Sequence, residues 1–84
     1  MDMKDTNNVF GQYAVVLGCM SNNGARAKSL GRVDDLATAR ARFKAATWEP
    51  LGFGREWSRT VALIKITGPA LNPTRETIER RDLD

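Results

Sequence analysis

The chain has no histidine and one cysteine, Cys19, and these two shortages exclude whole classes of chemistry. Without an imidazole, no Ser/His/Asp or Cys/His nucleophile system can be assembled, and zinc loses its usual nitrogen ligand. A lone thiol makes no internal disulfide, and a cytoplasmic location is the default expectation. No run approaches the roughly 18 consecutive apolar residues of a membrane span. The opening residues 1–8 are polar and carry two Asp, unlike a secretory leader. No glycine-rich phosphate loop followed by Lys-Ser/Thr occurs, and Gly52-Phe53-Gly54 lacks the third glycine and the following helix of a dinucleotide fingerprint.

What remains is 84 residues, 42% apolar and 27% charged, with a net charge of +3. That is one small domain. A chain of this length buries only about 60–65% of its unfolded surface, so no large internal cavity and no buried cofactor are expected.

Tyr13 to Met20 reads as a strand: short, β-branched and aromatic at its start, bounded by Gly11 and by Ser21-Asn22-Asn23-Gly24. Asn23-Gly24 predicts a two-residue type I′ turn, returning into a second strand over Arg26–Val33. With that loop Met20 lies opposite Ala27 and the basic residues of the return strand share a face with Cys19 and Leu17; a longer loop shifts the register. Asp34-Asp35 opens a helix from Leu36 to about Ala46, with Leu36, Ala39, Phe43 and Ala46 along one stripe and Asp34 as cap. Glu49-Pro50 and two glycines make Trp48 to Trp57 a loop. Arg59 or Thr60 to Thr67 is a third strand, and Asn72-Pro73 can start a short C-terminal helix through about Arg80.

The fold class expected is therefore α+β: a three-stranded antiparallel sheet of order 2-1-3, built β-β-α-β with a right-handed crossover and covered by one helix. The division along the chain is a lead-in over residues 1–8, the domain over 9–68, and a tail or short helix over 69–84.

Candidate chemistry is sparse. Asp34-Asp35 reads as helix capping rather than as a cation site, and Glu49 with Glu56 as surface ion-pair partners rather than as an acid/base couple. Cys19 reads as a small buried hydrophobe, the alternative being a thiolate activated by Lys28 across the hairpin.

The charge is the more informative feature. Residues 26–65 hold nine Lys or Arg against four acids, while both ends are slightly acidic. Such a body attracts phosphate backbones or acidic protein faces. The Trp48–Trp57 loop adds two indoles and a phenyl ring, which can stack on bases or fill a partner's pockets, or can close the small core. The expected partner-binding residues are Arg26, Lys28, Arg40, Lys44, Phe53, Arg55, Trp57 and Arg59.

The hairpin from Tyr13 to Met20 through Asn23-Gly24, the helix Asp34-Asp35-Leu36-Ala-Thr-Ala-Arg-Ala-Arg-Phe43 and the strand Thr60–Ile66 together resemble, in architecture, short accessory proteins of phages and plasmids, among them anti-CRISPR inhibitors. The resemblance includes no diagnostic motif and transfers no site residue. It implies a non-enzymatic inhibitor that blocks a bacterial effector complex, protein or ribonucleoprotein. Inhibitors that imitate DNA are strongly acidic, so a basic chain would instead contact acidic protein patches, guide RNA or the DNA path. The alternatives are a small nucleic-acid-binding protein and a homodimeric structural module with a self-complementary sheet edge or face.

Overall fold

The computed structural model describes residues 12–52, 54–69 and 71–84. The expected lead-in over residues 1–8, and Phe53, lie outside that set. Four strands and one helix follow in chain order: β1 Tyr13–Ser21, β2 Gly24–Val33, α1 Leu36–Ala45, β3 Glu56–Thr67 and β4 Thr74–Asp82. All neighbouring strands are antiparallel, in the order β2-β1-β3-β4. The expected 2-1-3 core is present, and a fourth strand extends it.

That fourth strand corrects the C-terminal helix expected from Asn72 to Arg80. Pro73 suits the first turn of a helix, but it equally suits the residue just before a strand, where no ladder hydrogen bond is lost. Thr74, Thr77 and Ile78 are β-branched, and few apolar residues exist to hold a helix stripe against the sheet. Pairing with β3 satisfies the backbone groups that point toward it along the segment instead.

The hairpin turn also departs from expectation. Asn22 and Asn23 occupy the turn, neither has positive φ, and Gly24 takes the left-handed conformation at φ 97°. The loop is thus Asn22-Asn23, followed by a left-handed glycine, rather than an Asn23-Gly24 type I′ turn. Ser21 Oγ accepts from Asn23 N at 3.1 Å and donates to the Gly24 carbonyl at 2.9 Å. Met20 therefore faces Ala25, Cys19 faces Arg26 and Leu17 faces Lys28. The slip relative to the expected register is two residues, an even number, so Gly24 to Ser29 keep their expected faces, but a bulge between Ala14 and Val16 moves Arg32 to the side of Ala14 and Val33 to the helix side beside Tyr13.

Alternation along β1 and β3 places Val15, Leu17, Val61 and Leu63 on one face, each essentially inaccessible to solvent, where they pack on Ala39 and Phe43 of α1. Burying side chains of this size contributes about 1.5–3 kcal/mol each. Tyr13, Leu30, Val33, Leu36, Trp48 and Leu83 close the rim of this core. The helix is capped by Asp35 rather than Asp34: its carboxylate accepts from Thr38 N and Thr38 Oγ1, both at 2.8 Å. Those two hydrogen bonds hold the Asp35 carboxyl below the usual carboxylate range, the backbone N–H contributing most. No helix among the described residues is long and apolar enough to cross a membrane.

Candidate interaction face

The single helix covers one side of the sheet, and no other described helix or strand packs on the opposite side. The residues that face this open side follow from register. Ala14, Val16 and Gly18 of β1 lie beside Ala62, Ile64 and Thr60 of β3, with Ile66 beyond; Ala25, Ala27 and Ser29 of β2 flank them. The middle of the face is thus apolar and shallow. Ala14, Val16, Ile64 and Ile66 floor a groove of about 160 Å³, with Arg32 and Arg75 at its rim. The clefts that enclose small-molecule ligands are larger, roughly 300–1,000 Å³.

One end of the face carries rings and sulfur. Trp57 and Met20 are cross-strand partners, and each is 41% exposed. The Arg55 guanidinium lies 5.9 Å from the Trp57 ring centroid, a cation–π distance. The other indole is used differently. Trp48 packs against the core, and its Nε1 donates to Glu56 Oε1 at 3.2 Å. Glu56 also accepts from the Leu51 backbone N–H at 2.9 Å, which ties the Trp48–Trp57 connection to the start of β3. The two readings of a loop tryptophan divide between the two residues: Trp48 closes the core and Trp57 is surface.

The eight expected site residues do not form one patch. Arg26 and Lys28 lie on β2 with side chains on the helix side, opposite Cys19 and Leu17. Lys28 pairs with Glu49. Arg40 of α1 reaches Glu79 of β4 at 2.7 Å, and Arg59 pairs with Asp84. Lys44 is exposed near the C-terminal end of the helix, on the covered side. Only Arg55 and Trp57 sit at the open face, and Phe53 is outside the described residues. Lys28, Arg40 and Arg59 are therefore engaged by acids within the fold, and two of those acids, Glu79 and Asp84, come from the segment expected to be a tail.

The same topology brings forward residues that sequence reasoning passed over. Arg75 faces Ile66, Arg80 faces Ala62 and Thr77 faces Ile64, so β4 presents two arginines to the open side. Both are exposed, and no ion pair among the described residues engages either. Asp82, opposite Thr60, is the one acid among the described strand residues on that face. The signal was available: an arginine two residues before Thr77, flanked by β-branched residues, fits a strand beginning after a proline.

Cys19 is buried. Burial pushes its thiol above the ordinary value, Glu56 adds to the rise, and Arg26 and Arg59 oppose it. The neighbour across the hairpin is Arg26, not Lys28. Among the described residues no group of three or more Cys, Asp or Glu side chains is placed to hold a metal ion.

No family model matches the chain, and no curated protein or solved structure does so either.

Proposed function

We propose that this chain is a non-enzymatic interaction protein that occupies a surface of a macromolecular partner through its open sheet face, with Trp57 and Arg55 as the anchor. The observation that carries this reading is the exposed Trp57–Met20 pair with Arg55 over the indole, at the end of a sheet face that no described element covers. Tryptophan and arginine dominate binding hot spots because they bury much area with few lost rotamers and retain a polar handle. Trp48 serves the core, so solvent exposure of Trp57 has no packing rationale of its own. The architectural resemblance to phage and plasmid inhibitors makes a bacterial effector complex the partner this reading expects, reached in the cytoplasm.

The test is affinity capture from bacterial lysate with the intact chain and with a Trp57→Ala/Arg55→Glu variant, both checked for fold by circular dichroism. A partner retained at moderate salt by the former and lost by the latter supports the reading, since a ring-anchored contact resists screening. Capture undiminished in the variant overturns it.

A further inference from the structure

The open face has a feature that the anchor alone leaves unexplained, namely its charge pattern. Arg75 and Arg80 project from the same side of β4, opposite Ile66 and Ala62 of β3. Four ladder steps separate these positions, roughly 13 Å. Trp57 lies on the same side of β3, a similar distance beyond Ala62, with Arg55 against its ring. Guanidinium, guanidinium and guanidinium-on-indole thus form a row of roughly 25–30 Å along the β3–β4 half of the sheet. Small and apolar side chains floor the strip beside it.

We infer that this row takes a single strand of nucleic acid, its phosphates following Arg75 and Arg80 and an unpaired base stacking on Trp57. The inference rests on the proposed interaction face and specifies what that face contacts. The cations on the row are arginines, whose planar forks match phosphate as well as carboxylate oxygens bidentately. Two observations favour a strand over an acidic protein surface. The arginines are spaced along a line rather than clustered, as a polymer of regular charge requires. The ring at the end has an open side, and a base stacked on an aromatic residue next to arginine is the recurring device of sequence-tolerant strand binding. Duplex DNA offers no free base to Trp57, so unpaired strands are preferred. Asp82 lies between Arg80 and Trp57 and opposes a phosphate there, which limits the affinity to the micromolar range typical of non-specific contacts, about 1–100 µM at physiological salt.

The experiment uses the full chain and an end-labelled oligothymidylate of about 12 nucleotides, followed by fluorescence anisotropy over a salt series. The two phosphates neutralised by Arg75 and Arg80 give a slope of about −1.4 in log K against log salt for a single strand. Trp57→Ala weakens binding roughly 5- to 150-fold, the range found for loss of one stacked base. The pair Arg75→Gln/Arg80→Gln lowers both affinity and slope, whereas Ala37→Glu/Ala41→Glu, with the same change in net charge at exposed positions of the helix, leaves the slope near its original value. Three results overturn the inference: no binding at low salt, equal binding of a duplex of the same length, or equal effects of the two charge-matched pairs. If the oligonucleotide fails to bind while a nuclease-resistant protein partner is still captured through Trp57, strand binding is wrong and the interaction reading stands. Loss of both sinks the two together.

Discussion

The guanidinium of Arg81 donates to the carbonyl oxygen of Phe43 at 2.7 Å while lying 5.4 Å from the Phe43 ring centroid. Its Nη2 also reaches the carbonyls of Ala46 at 3.0 Å and Lys44 at 3.3 Å. Arg81 sits on the outermost strand, and the carbonyls belong to the end of α1, where the helical ladder runs out and the Phe43 oxygen receives one further N–H, that of Ala46 at 3.3 Å. One side chain thus performs the C-terminal capping of the helix, opposes the negative end of its dipole and fastens β4 to the core.

Replacing Arg81 consequently costs more than an exposed strand arginine normally does. Arg81→Leu removes the charged donor shared by the Phe43, Lys44 and Ala46 carbonyls and the cation over the Phe43 ring. A loss of about 2 kcal/mol is expected, within the range for hydrogen bonds to charged groups. Arg81→Lys recovers only part of it, because an ammonium lacks the planar guanidinium that lies over the Phe43 ring while its Nη2 serves the carbonyls. Urea denaturation of the three proteins measures the order, and equal midpoints for the parent chain and Arg81→Leu would show the cap to be incidental.

Why β4 escaped notice in the sequence is instructive. The segment Thr74–Asp82 is mostly charged, and a charged strand is legible only when its partners are known: Glu79 looks like tail acidity until Arg40 is beside it, and Arg81 looks like solvated base until α1 ends against it. The hairpin, the helix and β3 were legible because each carries its own periodicity and its own stops. The same asymmetry governs the interaction face. Local composition pointed to residues 26–65, but charge in a sequence records neither the face a residue lands on nor the acid that neutralises it. Of the residues in that reading Arg55 and Trp57 lie at the open face, whereas Arg75 and Arg80 reach it only through strand order.

The helix start supplies a pH-dependent prediction. Asp35 accepts two hydrogen bonds from Thr38, and Asp84 is held by Arg59, chiefly through a side-chain hydrogen bond; both carboxyls titrate below their ordinary value. For a group depressed in the folded state, the unfolded chain binds more protons as pH falls. The stabilisation is full above the unfolded pKa of about 3.9 and disappears as pH drops through the folded one. Thermal melts are therefore flat near neutral pH and decline below about pH 4. Asp35→Asn keeps a capping oxygen but removes that residue's share of the decline, while Asp35→Ala melts lower at every pH. An acid limb that is unaltered in both variants would assign the decline to other groups.

Ser58 reverses an ordinary rule of strands. It stands at φ 53°, in the left-handed region, at the point where β3 bulges past Cys19 between the pairs Gly18–Thr60 and Met20–Trp57. A Cβ there costs roughly 1–2 kcal/mol, and branching at Cβ adds to it. Ser58→Val is expected to destabilise by about 1–2 kcal/mol despite valine's strand preference, and Ser58→Gly to be neutral or mildly stabilising. The order glycine at least equal to serine, with valine last, contradicts β-propensity and so isolates the bulge. Stability rising toward valine would mean that the bulge relaxes on substitution.

The buried thiol gives the sharpest contrast between a functional and a structural reading. Cys19 points from β1 toward the helix side, with Arg26 across the hairpin and the Ser58–Arg59 bulge on its other flank. An activated cysteine would be exposed and biased toward thiolate by its cations; here burial, supported by Glu56, outweighs Arg26 and Arg59 and favours the protonated form. Alkylation of the folded chain near neutral pH is therefore slow and set by opening of the structure, and it becomes fast in denaturant. Cys19→Ala should leave partner capture intact, because the thiol faces the helix side of the sheet and not the proposed interaction face. Rapid native-state labelling, or loss of capture in Cys19→Ala with the fold preserved, would restore the thiol to the list of functional groups.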